Sequence, residues 1–202
     1  VLIPWAVPSY ITTYMWRVFI LQSSAQGSPG LLNILLAKVG ISEVNWLSNE
    51  PFLGIPFLPM ILVSAIMVNV WLGVPFMVIT FLAGLQSIPE DLYEAAKIDG
   101  ASRWQQFRYI TLPLLKPTLF VSSLLGIILT FNMFNVIFIM AKNTGLPQQD
   151  YTILSVWVYD KAFGGESLFG EAAAISWVIF GMLLFFALIY NRLLSQEGPR
   201  GT

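Results

Sequence analysis

Apolar residues in this chain fall into four long runs, separated by segments in which polar residues and turn formers dominate. A hydrocarbon core takes roughly 20 helical residues to cross, and the runs at 1–21, 57–85, 118–140 and 172–194 meet or approach that length. The first holds Pro4 and Pro8 early and Arg17 late; the second carries no charge and is long enough to tilt in the bilayer. A helix satisfies its own backbone hydrogen bonds in lipid, so the pattern predicts an all-α, polytopic transmembrane helical bundle.

The segments between the runs are distinct in kind. From Gly27 to Pro51, the turn formers Gly27, Pro29 and Gly30 precede Leu31, Leu32, Leu35, Leu36 and Val39 at helical spacing, which predicts a short helix at the membrane interface. Residues 142–171 are polar, aromatic and turn-rich, as expected of an aqueous loop with a short helix around Ile153 to Asp160.

Residues 86–117 form the most polar stretch. Ser87-Ile88-Pro89-Glu90 fits a capping box, with Pro89 in the first turn and Glu90, Asp91 and Glu94 at the positive end of the helix dipole, so a helix is expected from near Ile88. Gly100 suits a left-handed stop, and Ser102-Arg103-Trp104-Gln105 repeats the capping pattern. Pro113 and Pro117 are expected to interrupt the second helix before the third span. Ala95 and Ala96 make the first helix small on one side, while Trp104 and Phe107 make the second aromatic. A slack linker resting on lipid has no need of two helices with defined ends around one glycine.

Composition narrows the function. Of 202 residues 56% are hydrophobic and 10% charged, against about 25% charged in soluble domains. A net charge of −1 with no basic run leaves nucleic acid without an electrostatic footprint. Without cysteine or histidine there is no disulfide, thiol or imidazole chemistry and no metal site of the usual zinc type. The spans hold almost no ionisable groups, which argues against a membrane enzyme or an ion-coupled secondary transporter. If 86–117 is cytoplasmic, that side collects Lys97, Arg103, Arg108, Lys116, Arg192 and Arg200, against Arg17, Lys38, Lys142 and Lys161 opposite. The opening Val1-Leu2-Ile3-Pro4-Trp5 lacks the basic flank of a signal peptide, and upstream sequence is expected.

Glu94-Ala95-Ala96, then Gly100, then Ile110, Leu112 and Pro113 match every position of a pattern E-A-A, three residues, G, nine residues, I-x-L-P. The chain thereby resembles the EAA-motif permeases of ABC importers, and the text from Phe81 to Pro117 is similar to the carbohydrate importers of maltose and glycerol-3-phosphate type. Pro4-Trp5, the Gly30 to Asn33 segment and the Thr144-Gly145-Leu146-Pro147 loop resemble the MalF-like subunit.

The resemblance implies a type I importer permease core, the C-terminal part of a six-helix subunit in the cytoplasmic membrane of a prokaryote. It implies a second, MalG-like permease, two copies of an ATP-binding subunit, an extracytoplasmic solute-binding protein and a carbohydrate as cargo, with glycerol-3-phosphate as the non-sugar alternative. Residues 86–117 would be the cytoplasmic coupling loop, with Glu94, Ala95, Ala96, Asp99, Gly100, Ile110, Leu112 and Pro113 as ATPase-coupling positions. No G-x-x-x-x-G-K-[ST] occurs, so no cofactor is expected on this chain; ATP and Mg would be held by the partner ATPase.

Polar residues near mid-membrane are expensive and point to a transport path. The second span offers Asn69, Trp71 and Gly73 with Pro75 as a kink; the third offers Thr130, Phe131, Asn132 and Asn135. Amides beside aromatic rings suit a sugar, whereas interhelical hydrogen bonding is the structural alternative. In the maltose-type relatives, substrate contacts fall on these two spans, which favours Asn69, Gly73 and Phe76 and the region Thr130, Phe131 and Asn132; Thr130 and Asn132 compete for one role. Many relatives have Phe-Asp where this chain has Phe134-Asn135, so a carboxylate role does not carry over there.

Overall fold

The computed structural model describes residues 7–165 and 167–196. Pro4, Trp5, the start of the first run and Arg200 lie outside them. The described chain is helical: α1 (Ser9–Met15), which continues as a π turn over Trp16–Ile20, α2 (Leu31–Lys38), α3 (Met60–Gln86), α4 (Glu90–Ile98), α5 (Arg103–Gln106), α6 (Leu112–Phe131), α7 (Phe134–Ala141), α8 (Leu154–Phe163) and α9 (Phe169–Gln196). Among the described residues the sole β-type pairing is an isolated bridge between Pro51 and Pro59.

Among the described residues, three helical stretches are long and apolar enough to cross a membrane: Met60–Gln86, Arg103–Phe131 and Phe169–Arg192. Their outward residues, such as Val70, Leu129, Trp177 and Phe185, are exposed and apolar, as a lipid-facing surface requires. The second and fourth runs thus correspond to α3 and α9, while Ser9–Ile20 is the described helical part of the first.

The third run differs from its expected bounds. Helix is continuous from Arg103 through a second π turn at Phe107–Thr111 to Phe131, and the break falls at Asn132 and Met133. Neither Pro113 nor Pro117 interrupts it. Within the π turn the Leu112 N–H reaches back five residues to Phe107 O. Pro113, with no N–H to donate, follows directly on this change of register, where a missing donor costs least. At 29 residues the helix is about 43 Å long, so its polar N-terminal end projects beyond a hydrocarbon core of about 30 Å.

The chain divides into two compact units, Val1–Gly73 with Thr130–Phe180, and Val74–Leu129 with Gly181–Thr202. The first has an apolar core around Leu21, Leu47, Val68, Val136 and Met140. Beside it Asn33, buried at 3% exposure, closes the loop from Gln22 to Trp46. Its Oδ1 accepts from Val44 N–H and Trp46 Nε1–H, both at 3.1 Å, and its Nδ2 donates to Val44 O at 3.0 Å and Gln22 O at 3.2 Å. All four hydrogen-bonding positions of the amide are thereby filled. In the same loop Glu43 accepts from both the N–H and the hydroxyl of Ser24. These two donors hold the Glu43 carboxyl below its ordinary range.

In the second unit α3 and α6 approach closely at Gly84. A Cβ there would lie 2.7 Å from Leu115 Cδ1 and 2.9 Å from Thr118 Oγ1. Glycine permits this contact between the two helices that flank 86–117.

Candidate functional site

The segment between α3 and α6 builds a helix, a glycine turn and a helix, but its first boundary departs from expectation. Ser87 is not a cap: its hydroxyl donates to Gly84 O at 2.7 Å, closing the last turn of α3. Pro89 is the N-cap residue, without a side-chain bond, and α4 starts at Glu90. Glu90 and Asp91 occupy its first turn, whereas Glu94 lies in the second. Helix-dipole stabilisation fades beyond the first turn, so Glu94 has little share in it. Glu94 is exposed and has no hydrogen-bond or ion-pair partner among the described residues.

The end of α4 is fixed by its backbone. Gly100 N–H donates to Lys97 O at 3.1 Å and Ala101 N–H to Ala96 O at 2.9 Å. Gly100 has φ +78°. This is a Schellman stop, with glycine at the left-handed position. The predicted capping box at Ser102 is present: Ser102 Oγ accepts from Gln105 N–H at 3.3 Å, and Gln105 Oε1 accepts from Ser102 N–H at 2.7 Å. Gln106 Nε2 adds a bond to Ala101 O at 3.0 Å. Both sides of the turn are therefore held by hydrogen bonds local to it.

A longer connection joins the two helices. The Tyr93 hydroxyl of α4 and the Thr111 hydroxyl in the π turn are hydrogen-bonded, and Thr111 is buried. The polar surface thus sits on a folded unit rather than a slack connection.

Of the expected coupling residues, Glu94, Ala95, Asp99, Gly100, Leu112 and Pro113 are exposed, while Ala96 and Ile110 are half-buried. Beside them lies apolar surface unusual for an aqueous segment: Ile98 is 87% exposed and Trp104 66%, with Trp104 stacked on Phe107 at 5.5 Å. A rigid element offering carboxylates beside uncovered Ile and Trp side chains is suited to a protein partner. Ile98, Tyr93, Thr111 and Gly84 were not singled out by the sequence. Thr111 occupies the unspecified position between Ile110 and Leu112, and only the fold shows what it does.

The polar residues of the spans sort into two arrangements. Asn69 Nδ2 donates to Thr130 Oγ1 at 3.2 Å, joining α3 to the last turn of α6. Asn135 Nδ2 donates to Ser9 Oγ at 2.7 Å, joining α7 to α1. Both are interhelical bonds of the kind expected in lipid. Gly73 follows Asn69 by one helical turn, and a Cβ at Gly73 would meet nothing within 4 Å. Phe76 repeats on that face by spacing, and Pro75 leaves Trp71 O without its helical donor. The Trp71 ring instead meets Trp16 at 5.7 Å. Thr130 is thus brought to Asn69, while Asn132 lies in the break between α6 and α7 beside Phe131.

Comparison with known proteins gives concordant matches. The family described as "Binding-protein-dependent transport system inner membrane component" matches residues 1–196. A probable ABC transporter permease protein of Brucella abortus is 39% identical over 199 residues, covering 98% of this chain and 63% of that protein. The trehalose/maltose transport system permease protein MalF of Thermococcus litoralis is 39% identical over 190 residues, covering 94% and 59%. Among solved structures, a bacterial ABC transporter involved in the import of the acidic polysaccharide alginate aligns with a TM-score of 0.77 at 26% identity, over 98% of this chain and 63% of that one. The chain spans about three fifths of the length of these relatives.

Proposed function

We propose, from the premise that this chain belongs to the family of binding-protein-dependent transport system inner membrane components, that it acts as a multi-pass permease subunit of an ATP-driven carbohydrate importer in a prokaryotic inner membrane. The observation that carries the coupling role is the 86–117 element, with its Schellman stop at Gly100 and its exposed Glu94, Ile98 and Trp104. In this reading the element docks on a cytoplasmic ATP-binding subunit, which holds ATP and Mg. A second permease, a second ATPase copy and an extracytoplasmic binding protein complete the assembly.

The mechanism is differential binding. A docked ATPase moves the permease only if its two states hold the loop with unequal affinity. Driving a two-state permease from one extreme to the other takes about 5.5 kcal/mol of such difference. A single surface contact supplies on the order of 1 kcal/mol. Coupling is therefore distributed over Glu94, Asp99 and the apolar surface, and transmitted through the rigid start of the Arg103–Phe131 helix.

The sugar class rests on the names of the relatives and on the chemistry at Asn69, Gly73, Phe76 and Thr130. Asn69 Nδ2 donates to Thr130 Oγ1; a sugar hydroxyl would exchange for that bond, and open space beside Gly73 would admit its ring. The test is a reconstituted full-length complex. Binding protein loaded with sugar is expected to stimulate ATP hydrolysis and uptake, and G100W to abolish both. Intact uptake and ATPase association in G100W would overturn the coupling role.

A further inference from the structure

A cavity of about 570 Å³ opens on the first unit, and neither Asn69 nor Thr130 lines it. Tyr10, Tyr14 and Arg17 line it from α1 and its π turn, and Lys142 lines it from the end of α7. The contents of this wall are unbalanced in charge: it holds two cations and no carboxylate. Neither cation has an ion-pair partner among the described residues.

Arg17 is fixed rather than waving in solvent. One Nη1–H donates to Ile139 O at 3.0 Å, so the guanidinium is anchored with its remaining donors still to be satisfied. It sits in a π turn, a local departure from α geometry that shifts side-chain register and recurs at functional sites. Tyr10, Tyr14 and Arg17 follow one another at helical spacing, and both tyrosine rings are exposed. Ile11, Val18, Leu47 and Ile139 add apolar side chains to the same lining.

A concave site with an anchored Arg17, an exposed Lys142, phenol hydroxyls and apolar side chains, along α1 and at the end of α7, matches an amphiphile with an anionic head. A neutral sugar has no charge to set against Arg17 and Lys142. A guanidinium pairs readily with phosphate oxygens, and tyrosine favours the headgroup level of a bilayer. We propose that this cavity binds one anionic glycerophospholipid, its phosphate on Arg17 and Lys142 and its upper acyl chain along Ile11 and Val18. The proposal rests on the membrane reading and not on the transport reading.

The full-length transporter, exchanged into mixed micelles with equal phosphatidylglycerol and phosphatidylcholine, would be examined by native mass spectrometry. Wild type is expected to retain phosphatidylglycerol in preference. K142Q, which removes a cation whose side chain has no partner among the described residues, is expected to lower that retention roughly fivefold, and R17Q/K142Q by an order of magnitude or more. K38Q, a cation outside the cavity, is expected to leave it unchanged. Equal retention of the two lipids by wild type, unchanged retention in K142Q, or release of phosphatidylglycerol by inorganic phosphate alone would overturn the proposal. The last would mark a site for a small anion.

Discussion

Tyr93 Oη lies 2.8 Å from Thr111 Oγ1, one in α4, the first helix of the 86–117 element, and the other in the π turn that leads into α6. The bond makes α4 part of the same body as the long helix, so a displacement of α4 is carried to Thr111 instead of being absorbed at the Gly100 turn. Y93F keeps the ring and removes the bond, at a cost of about 1 kcal/mol. Expected is a severalfold fall in uptake per ATP hydrolysed, with the ATPase still bound in pull-down.

Gly100 needs its conformation rather than its space. A Cβ there would touch nothing within 4 Å, but φ is +78°. G100A is therefore expected to destabilise the turn by about 1–2 kcal/mol, G100N by less, and G100V by more than G100A. Uptake by the three variants should follow that order. An order set by side-chain volume alone would contradict a conformational cause.

The reverse holds at Gly84, where φ is unremarkable but Leu115 and Thr118 crowd the position. G84A should cost about 1–3 kcal/mol through overpacking. L115A in the same chain should recover part of the loss, since the nearest atom is the end of the Leu115 side chain. Thermal unfolding of the single and double variants in detergent measures both effects.

Much of this element was legible in the sequence. The Gly100 stop and the Ser102 box are set by residues within five positions of one another, so local chemistry announces them. Ser87 misled because a serine near a helix start is equally near the end of the previous helix, and its hydroxyl closes on Gly84 O. Pro113 and Pro117 misled because a π turn changes the backbone register just before Pro113, and periodicity alone does not reveal such a turn. The Tyr93 to Thr111 bond and the Gly84 contact join residues far apart in sequence, which no single stretch encodes. The polar span residues were found as candidates, but only the packing paired Asn69 with Thr130 and Asn135 with Ser9.

Glu94 stands apart from Glu90 and Asp91 by one helical turn. Reversal in E94K, with the other two retained, should change helix stability by less than about 0.5 kcal/mol. It should nonetheless weaken ATPase association and uptake several times over. If circular dichroism instead showed α4 melting in E94K, a helix-capping role would replace the contact role.

Glu43 makes the loop from Gln22 to Trp46 pH-dependent in a stated direction. Its carboxyl is held low by the Ser24 N–H and hydroxyl. A depressed folded-state pKa means that the carboxylate stabilises the loop above the unfolded-state pKa, and that this contribution is lost as pH falls through the lower folded value. Hydrogen exchange should find the Ser24 amide protected at neutral pH and losing protection in acid, below the ordinary carboxylate range. E43Q should show weaker protection with no such transition.

Asn33 gives the Gln22 to Trp46 loop a kind of portability. Every bond of its amide goes to Gln22, Glu43, Val44 or Trp46, all within one stretch of chain. A segment that carries its own clasp need not be redesigned when its surroundings change. Recombination between related permeases near Gln22 and Trp46 would therefore carry the loop across together with its own hydrogen bonds in one exchange.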